Sequence, residues 1–548
     1  MATTVDLEDM KLDEQNMPTT ITSHQNGEMA DTENQLKREF KPRQVFMFSI
    51  ACAIGTGLVI GSGTGLSRGG PGSLLISYIM VGVAVFFVMT SLGEMAAFVP
   101  MNKGFAGYAS RMVDPAFGFA TGWNYFFKYM IAAPANLTAA GLVIQYWRPD
   151  LNVAIWVAVF GVAIITINVL HVSMIGETEF WLGATKILVL IILIISCLVV
   201  ALGGGPNHVR TGFHYWSDPG AFKEYLAVGS LGRFLGFWAC VCQACFAYVG
   251  TEVVGMTFGE TPNPRKNIPR AVKQTFWRIA VFYILAVVVL GMAVPSDNEL
   301  LIGATKKSTS ADASPFVVAV RLAGIAVLPD FVNASLLVFT LSAACTDIYC
   351  ASRSLYGLAR DKQAPAIFGK TLKNGNPIWA TAVSSCSVAL GFLNASKSSG
   401  TVFQYLVSLV TIFSVLNWFA ILVSFLFFRR ALKAQRITPS MLPYSSIGQP
   451  WGACYALFIS CSVIMFSGYD AFMGHFQVDV FVLKYLGVAL FMLNTVGWKV
   501  WKKTRMVKPD QTDLITGRRE FQETEFPNEQ QWNEGFWRKL LRKGRIGS

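Results

Sequence analysis

The stretch Val45–Gly70, VFMFSIACAIGTGLVIGSGTGLSRGG, is apolar for longer than the about 20 residues a helix needs to cross a bilayer. Glycine nevertheless interrupts it at Gly55, Gly57, Gly61, Gly63 and Gly65. Glycine weakens a helix by roughly 1 kcal/mol relative to alanine, so Gly55-Thr56-Gly57 is the natural place for this helix to open. Inside a membrane, open backbone is tolerated only where protein buries it or where it lines a cavity, so a broken spanning helix marks a site. Its second half begins with unpaired N–H groups and a partial positive charge, which suits a carboxylate. The competing reading is that the glycines only allow close helix packing.

The rest of the chain agrees with a bilayer setting. Of 548 residues, 53% are hydrophobic and only 14% charged, against about 25% charged in a soluble domain. We expect an all-α membrane protein with twelve transmembrane spans at roughly 45–66, 73–99, 117–146, 153–172, 179–202, 234–257, 275–295, 331–357, 378–394, 401–428, 452–469 and 480–501. The net charge of +12 comes from basic residues in short loops between the apolar runs. With the amino terminus inside, the clusters around Arg265–Arg278, Arg353–Lys373, Arg429–Arg436 and Lys499–Arg505 all fall on the cytoplasmic side, the positive-inside pattern, and both termini are expected there. The same distribution argues against a nucleic-acid partner.

Residues 1–43 read as a disordered cytoplasmic tail, 44–502 as the twelve-span membrane domain and 503–548 as a cytoplasmic carboxyl-terminal tail. The end, WNEGFWRKLLRKGRIGS, is amphipathic and basic and is expected to lie on anionic membrane lipid, with a plain solvated tail as the alternative. Lys11 and Lys37 in the acidic tail are candidate acceptors for ubiquitin-ligase machinery, from exposure alone. The ten cysteines lie in apolar runs or at their edges and read as buried small hydrophobes, Cys240, Cys242 and Cys245 included. Asn394-Ala-Ser396 is a weak glycosylation signal. No lysine completes a phosphate loop at GSGTG, no metal or cofactor set stands out, and no nucleophile–base arrangement suggests an enzyme.

Span 6, FWACVCQACFAYVGTEVVGMTFGE, repeats the symptom of span 1. Gly250 sits inside it, after Phe246-Ala247-Tyr248 and before Thr251-Glu252. Span 1 opens the first five spans and span 6 the next five, the arrangement expected of inverted repeats that meet at a binding site. Amide N–H groups around Ile54, Gly55, Thr56 and Gly57 suit a carboxylate, and freed carbonyls around Phe246–Gly250 suit an ammonium. Together they fit the backbone of an α-amino acid.

Ionisable groups at bilayer depth cost about 2.5–3.5 kcal/mol or more, so each is a functional candidate. Lys186 in span 5 is a reversible proton carrier or a permanently charged pin. Asp347 in span 8 is its partner, a second proton site, or a partly wet acid. Glu252 follows the span 6 break and can cap its second half. Glu94 reads as a helix-end or gate residue. Lys128 lies about 14 residues, roughly 20 Å of helix, beyond Asp114, too deep to reach the interface easily. A buried cation there would offset the side-chain charge of an acidic substrate; the alternative is a lysine that never meets substrate.

AIGTGLVIGSG, SLGEMAAFVP, FAYVGTE and ETPNPRKNIPRAV resemble the fungal amino acid permeases (the yeast amino acid transporter family) of the amino acid/polyamine/organocation superfamily. FFKYMIAAPANLTAAGLVIQYW, GGGPNHVRTGFHYWSDPGAFKEY, ASPFVVAV and CTDIYCASRSLYGLARDKQAPAIFGKT narrow the resemblance to the dicarboxylic amino acid permeases, which import glutamate and aspartate. The similarity spans all but about 40 residues at each end. It implies a five-plus-five inverted repeat with two additional helices and proton-coupled import at the plasma membrane, with H+ as the coupling ion and no cofactor. By the same resemblance, Lys186 matches the lysine whose amine replaces a sodium ion between the first and eighth spans of proton-coupled relatives. Many such permeases carry a glutamate where this chain has Asn136. A neutral amide there avoids repelling an acidic substrate, and it removes one proton site from the scheme. Broad or neutral amino acid transport, or a non-transporting sensor on the same fold, are the alternatives.

Overall fold

The computed structural model describes residues 54–101, 104–170, 172–253, 264–306, 314–325, 327–372, 375–395, 399–438 and 442–515. The tail 1–43, with Lys11 and Lys37, and the basic segment at the end of the chain lie outside the described residues.

The described chain is helical, and the twelve spans are recognisable in it. Nine helices among the described residues are long and apolar enough to cross a membrane, and Val153–Val169 and Ala280–Ala293 are shorter apolar helices. The first of the nine, Gly57–Phe98, joins spans 1 and 2 across a kink. The expected loop at 67–72 is therefore a kink, at Gly70 and Pro71, where Gly70 has φ +80°. Proline removes a backbone donor, and outer-loop backbone ties down the groups around it: the Gly72 N–H donates to the Ala221 carbonyl at 2.8 Å, and the Lys223 N–H to the Gly69 carbonyl at 3.0 Å. Span 5 begins at Val172 and span 7 at Pro264, each earlier than hydropathy suggests, because polar residues near each start (Glu177–Glu179 and Arg265–Gln274) hide helical backbone from an apolar window. Span 9 is Ile378–Cys386 followed by a tighter 3₁₀ stretch, Ser387–Ala395. Asn394 in that stretch is buried, and its amide donates to the Thr138 hydroxyl at 3.0 Å, so the side chain serves helix packing.

The core lies between span 3 (Pro115–Ile144) and span 8 (Leu328–Arg360), which pack along most of their length, and between spans 1–2 and spans 6 and 7. This pairing of the third and eighth spans, with the two broken helices facing each other, follows the five-plus-five order. On the end opposite the basic clusters, the short helix Pro315–Leu322 is buried among spans 1, 5, 7 and 8, and the Ser314 hydroxyl donates to the Val59 carbonyl at 2.7 Å. On the other end, Glu94 closes span 2 with an ion pair to Arg429 of span 10 at 2.8 Å and accepts from the Ser446 N–H at 3.3 Å.

Candidate functional site

The two breaks meet. A Cβ on Gly57 would lie 2.6 Å from Ala247 Cα and 2.7 Å from the Phe246 carbonyl oxygen, so only glycine allows this approach of backbone to backbone. The helix of span 6 ends at Ala247, the chain turns through Gly250 at φ +95°, and a short 3₁₀ turn, Thr251–Val253, follows. Two of its carbonyls already have partners: the Tyr283 hydroxyl donates to Ala247 at 3.1 Å and the Thr251 hydroxyl to Tyr248 at 3.0 Å.

A cavity lies beside the breaks. Gly55, Thr56, Gly57, Lys128, Asn136, Phe246, Ala247, Gly250 and Asp347 line it, nine of the residues singled out from sequence. Tyr129, Ala132, Ala135, Val249, Ala343, Thr346 and Val410 complete the wall. Four residues fall elsewhere. Ile54 is packed in the main core. Tyr248 turns away, its hydroxyl donating to the Tyr78 carbonyl at 3.1 Å and its ring 4.8 Å from that of Tyr283. Glu252 stands behind Lys128, and Lys186 is buried on span 5.

Polar contacts cross the cavity wall from three spans. The Thr56 hydroxyl donates to the Asn136 carbonyl oxygen at 3.0 Å, and the Asn136 amide donates to an Asp347 carboxylate oxygen at 2.7 Å. Asn136 thus joins spans 1, 3 and 8, and being both donor and acceptor it suits this place in a way no carboxylate does. Lys128 is ion-paired with Glu252 at 2.5 Å and sits 4.1 Å from the centre of the Tyr129 ring. Glu252 also accepts from the Gly250 N–H at 3.2 Å and from the Trp418 indole at 3.3 Å. Glu252 therefore caps the break and neutralises Lys128 together.

Sequence reasoning passed over Glu179. This carboxylate on span 5 is buried, and the Ser342 hydroxyl of span 8 donates to both its oxygens at 3.0 Å. It was hidden because hydropathy begins span 5 at residue 179, which makes a helix-end acid of a buried one. Tyr129, Ala132 and Ala135 carry a weak signal, since they share the helical face of Lys128 and Asn136. Among the described residues no group of three or more His, Cys, Asp or Glu has metal-holding geometry.

The amino acid permease family model matches residues 44–510. The chain is 53% identical over 479 residues to an uncharacterized amino-acid permease of Schizosaccharomyces pombe, covering 87% of this chain and 92% of that protein. It is 42% identical over 522 residues to the dicarboxylic amino acid permease of Saccharomyces cerevisiae, covering 93% and 86%. It is 39% identical over 489 residues to the proline-specific permease of Emericella nidulans, covering 88% and 89%. Among solved structures, a mutant of the Eremococcus coleocola manganese transporter matches with TM-score 0.53 at 11% identity, over 87% of this chain and 94% of that one, a likeness of fold alone.

Proposed function

The chain belongs to the amino acid permease family, a multi-pass membrane transporter of amino acids and not an enzyme, and on that premise we propose that it imports glutamate and aspartate with protons, by alternating access at the plasma membrane. The observation that carries the acidic reading is Lys128, a cation 1% exposed in the wall of the substrate cavity. Glu252 holds it in an ion pair. A substrate side-chain carboxylate entering the cavity brings a second anion to the same ammonium, which has three donors to share. The span 1 break with its N–H groups takes the α-carboxylate, and span 6 carbonyls with Asp347 take the α-ammonium. The 42% relative named a dicarboxylic permease supports this reading.

A second reading, transport of neutral amino acids, is favoured by that same ion pair, because Glu252 already neutralises Lys128. Labelled glutamate uptake in permease-deficient yeast at pH 5 and pH 7.5, with excess aspartate, leucine or lysine, separates the two. We expect faster uptake at pH 5, blocked by aspartate and not by leucine. Equal block by leucine would leave the site in place and remove the acidic selectivity. No uptake with the protein at the surface would favour a sensor.

A further inference from the structure

Glu179 and the substrate cavity are separated by one turn of span 8. Thr346 lines the cavity. Its hydroxyl donates to the Ser342 carbonyl at 3.1 Å, and Ser342, one turn back on the same helical face, places its own hydroxyl on the Glu179 carboxylate. A hydroxyl rotates, so it can offer its proton to either acceptor while its oxygen accepts one from the cavity. Asp347 lines the same cavity one residue on. The ionisable groups that act on Glu179 include Lys186 on its own helix, with Asp347, Cys345 and Cys350 on span 8.

Position along the bilayer gives this cluster a direction. Glu179 is seven residues, two helical turns or roughly 10 Å, nearer than Lys186 to the end of span 5 that shares a side with the basic clusters. A carboxylate buried this deeply is costly unless it is hydrogen-bonded and compensated, and retaining one marks function in a membrane segment.

We propose that Glu179 is the proton-release station of this carrier, receiving a proton from the cavity through the Thr346 hydroxyl and giving it up toward the face that carries the basic clusters; the proposal rests on the proton-coupled reading above. The transfer balances simply. A proton held on Asp347 or on cavity water moves to the Thr346 oxygen, the hydroxyl passes its own proton to the Glu179 carboxylate, and Glu179 becomes neutral. Release to water on the far side restores the carboxylate.

The test uses the full-length protein in liposomes loaded with a pH-sensitive dye, measuring glutamate-driven proton entry and labelled glutamate-for-glutamate exchange in parallel. We expect Glu179→Gln to lower proton entry at least tenfold more than exchange, and Glu179→Asp to recover most of the difference. An equal loss of both would make Glu179 a fixed counter-charge for Lys186 and overturn the proposal. If the unmutated protein moves glutamate without protons, the coupled reading falls and this one with it. If the unmutated protein couples and Glu179→Gln still couples, only this one falls. Should Glu179→Gln fail to fold, Thr346→Val keeps the carboxylate and its Ser342 bonds and is expected to slow proton entry at least fivefold more than exchange; unaltered coupling there also overturns the proposal.

Discussion

Lys128 and Glu252 come from helices 124 residues apart, and both are withdrawn from solvent. Removing one member of a buried pair strands the other charge, which costs about 3–5 kcal/mol, whereas removing both is far milder. Lys128→Met is therefore expected to lower the melting point and surface yield sharply, and Lys128→Met with Glu252→Gln to restore most of both. Melting of the purified variants in detergent checks this, and a double variant as unstable as the single one would mean the pair does not act as a unit. Glutamate preference over leucine should stay lost in the double variant, since its stability no longer depends on the cation. Sequence reading reached each of these residues separately, because a charge inside an apolar run is visible by itself. Their pairing was not legible, since nothing in the chain encodes which distant helix faces which. The same limit explains Asn136, read as a missing carboxylate, whose link to Thr56 and Asp347 needs three spans placed in space.

At the scale of the element, the two glycines of the span 1 break play different parts. Gly57 is pressed against the span 6 backbone, while a Cβ on Gly55 would meet nothing within 4 Å. Gly57→Ala must push spans 1 and 6 apart by several tenths of an ångström at the very place where substrate backbone is expected to bind. We expect uptake to fall at least tenfold, equivalent to about 1.4 kcal/mol, with reduced folded yield, while Gly55→Ala keeps its folded yield. Fluorescence-detected chromatography of the two variants, with uptake on those that reach the surface, decides it; equal yields would show that the close approach is not structurally required. The glycine pattern told where the helices open because helix propensity is local. It did not tell that the loop between spans 1 and 2 is a mere kink, since that outcome depends on outer-loop backbone meeting Gly69 and Gly72 from 150 residues away. Hydropathy found the spans for the same local reason and misplaced their polar ends.

Across the whole molecule, one face is tied together by the chain after span 12. Asp114 caps span 3 by accepting from the Ala116 N–H at 2.8 Å, and it also accepts from Lys499 and Thr504 at 2.8 Å each. The Val507 N–H donates to the Val113 carbonyl at 2.9 Å, the Gln435 amide of span 10 donates to the Thr512 carbonyl at 2.7 Å, and Leu514 is buried in the main core. Spans 3, 10 and 12 are thus joined on the side where Glu94 and Arg429 join spans 2 and 10. Alternating access needs contacts of this kind to hold one face closed and then yield. Burial alone would raise the Asp114 carboxyl, but the hydrogen bonds from Lys499, Ala116 and Thr504 outweigh it and hold the group below its usual range. A depressed folded value stabilises above the unfolded value, near 3.9, and that stability is lost as pH falls through the folded one. Asp114→Ala is therefore expected to cost about 1–2 kcal/mol at pH 7, the range for losing a helix cap, and the gap from the unmutated protein should narrow below about pH 4. Melting curves of the two proteins at pH 7 and pH 3.5 test the sign, and a gap that widened in acid would mean that burial, not the cap and the Lys499 pair, governs this carboxylate.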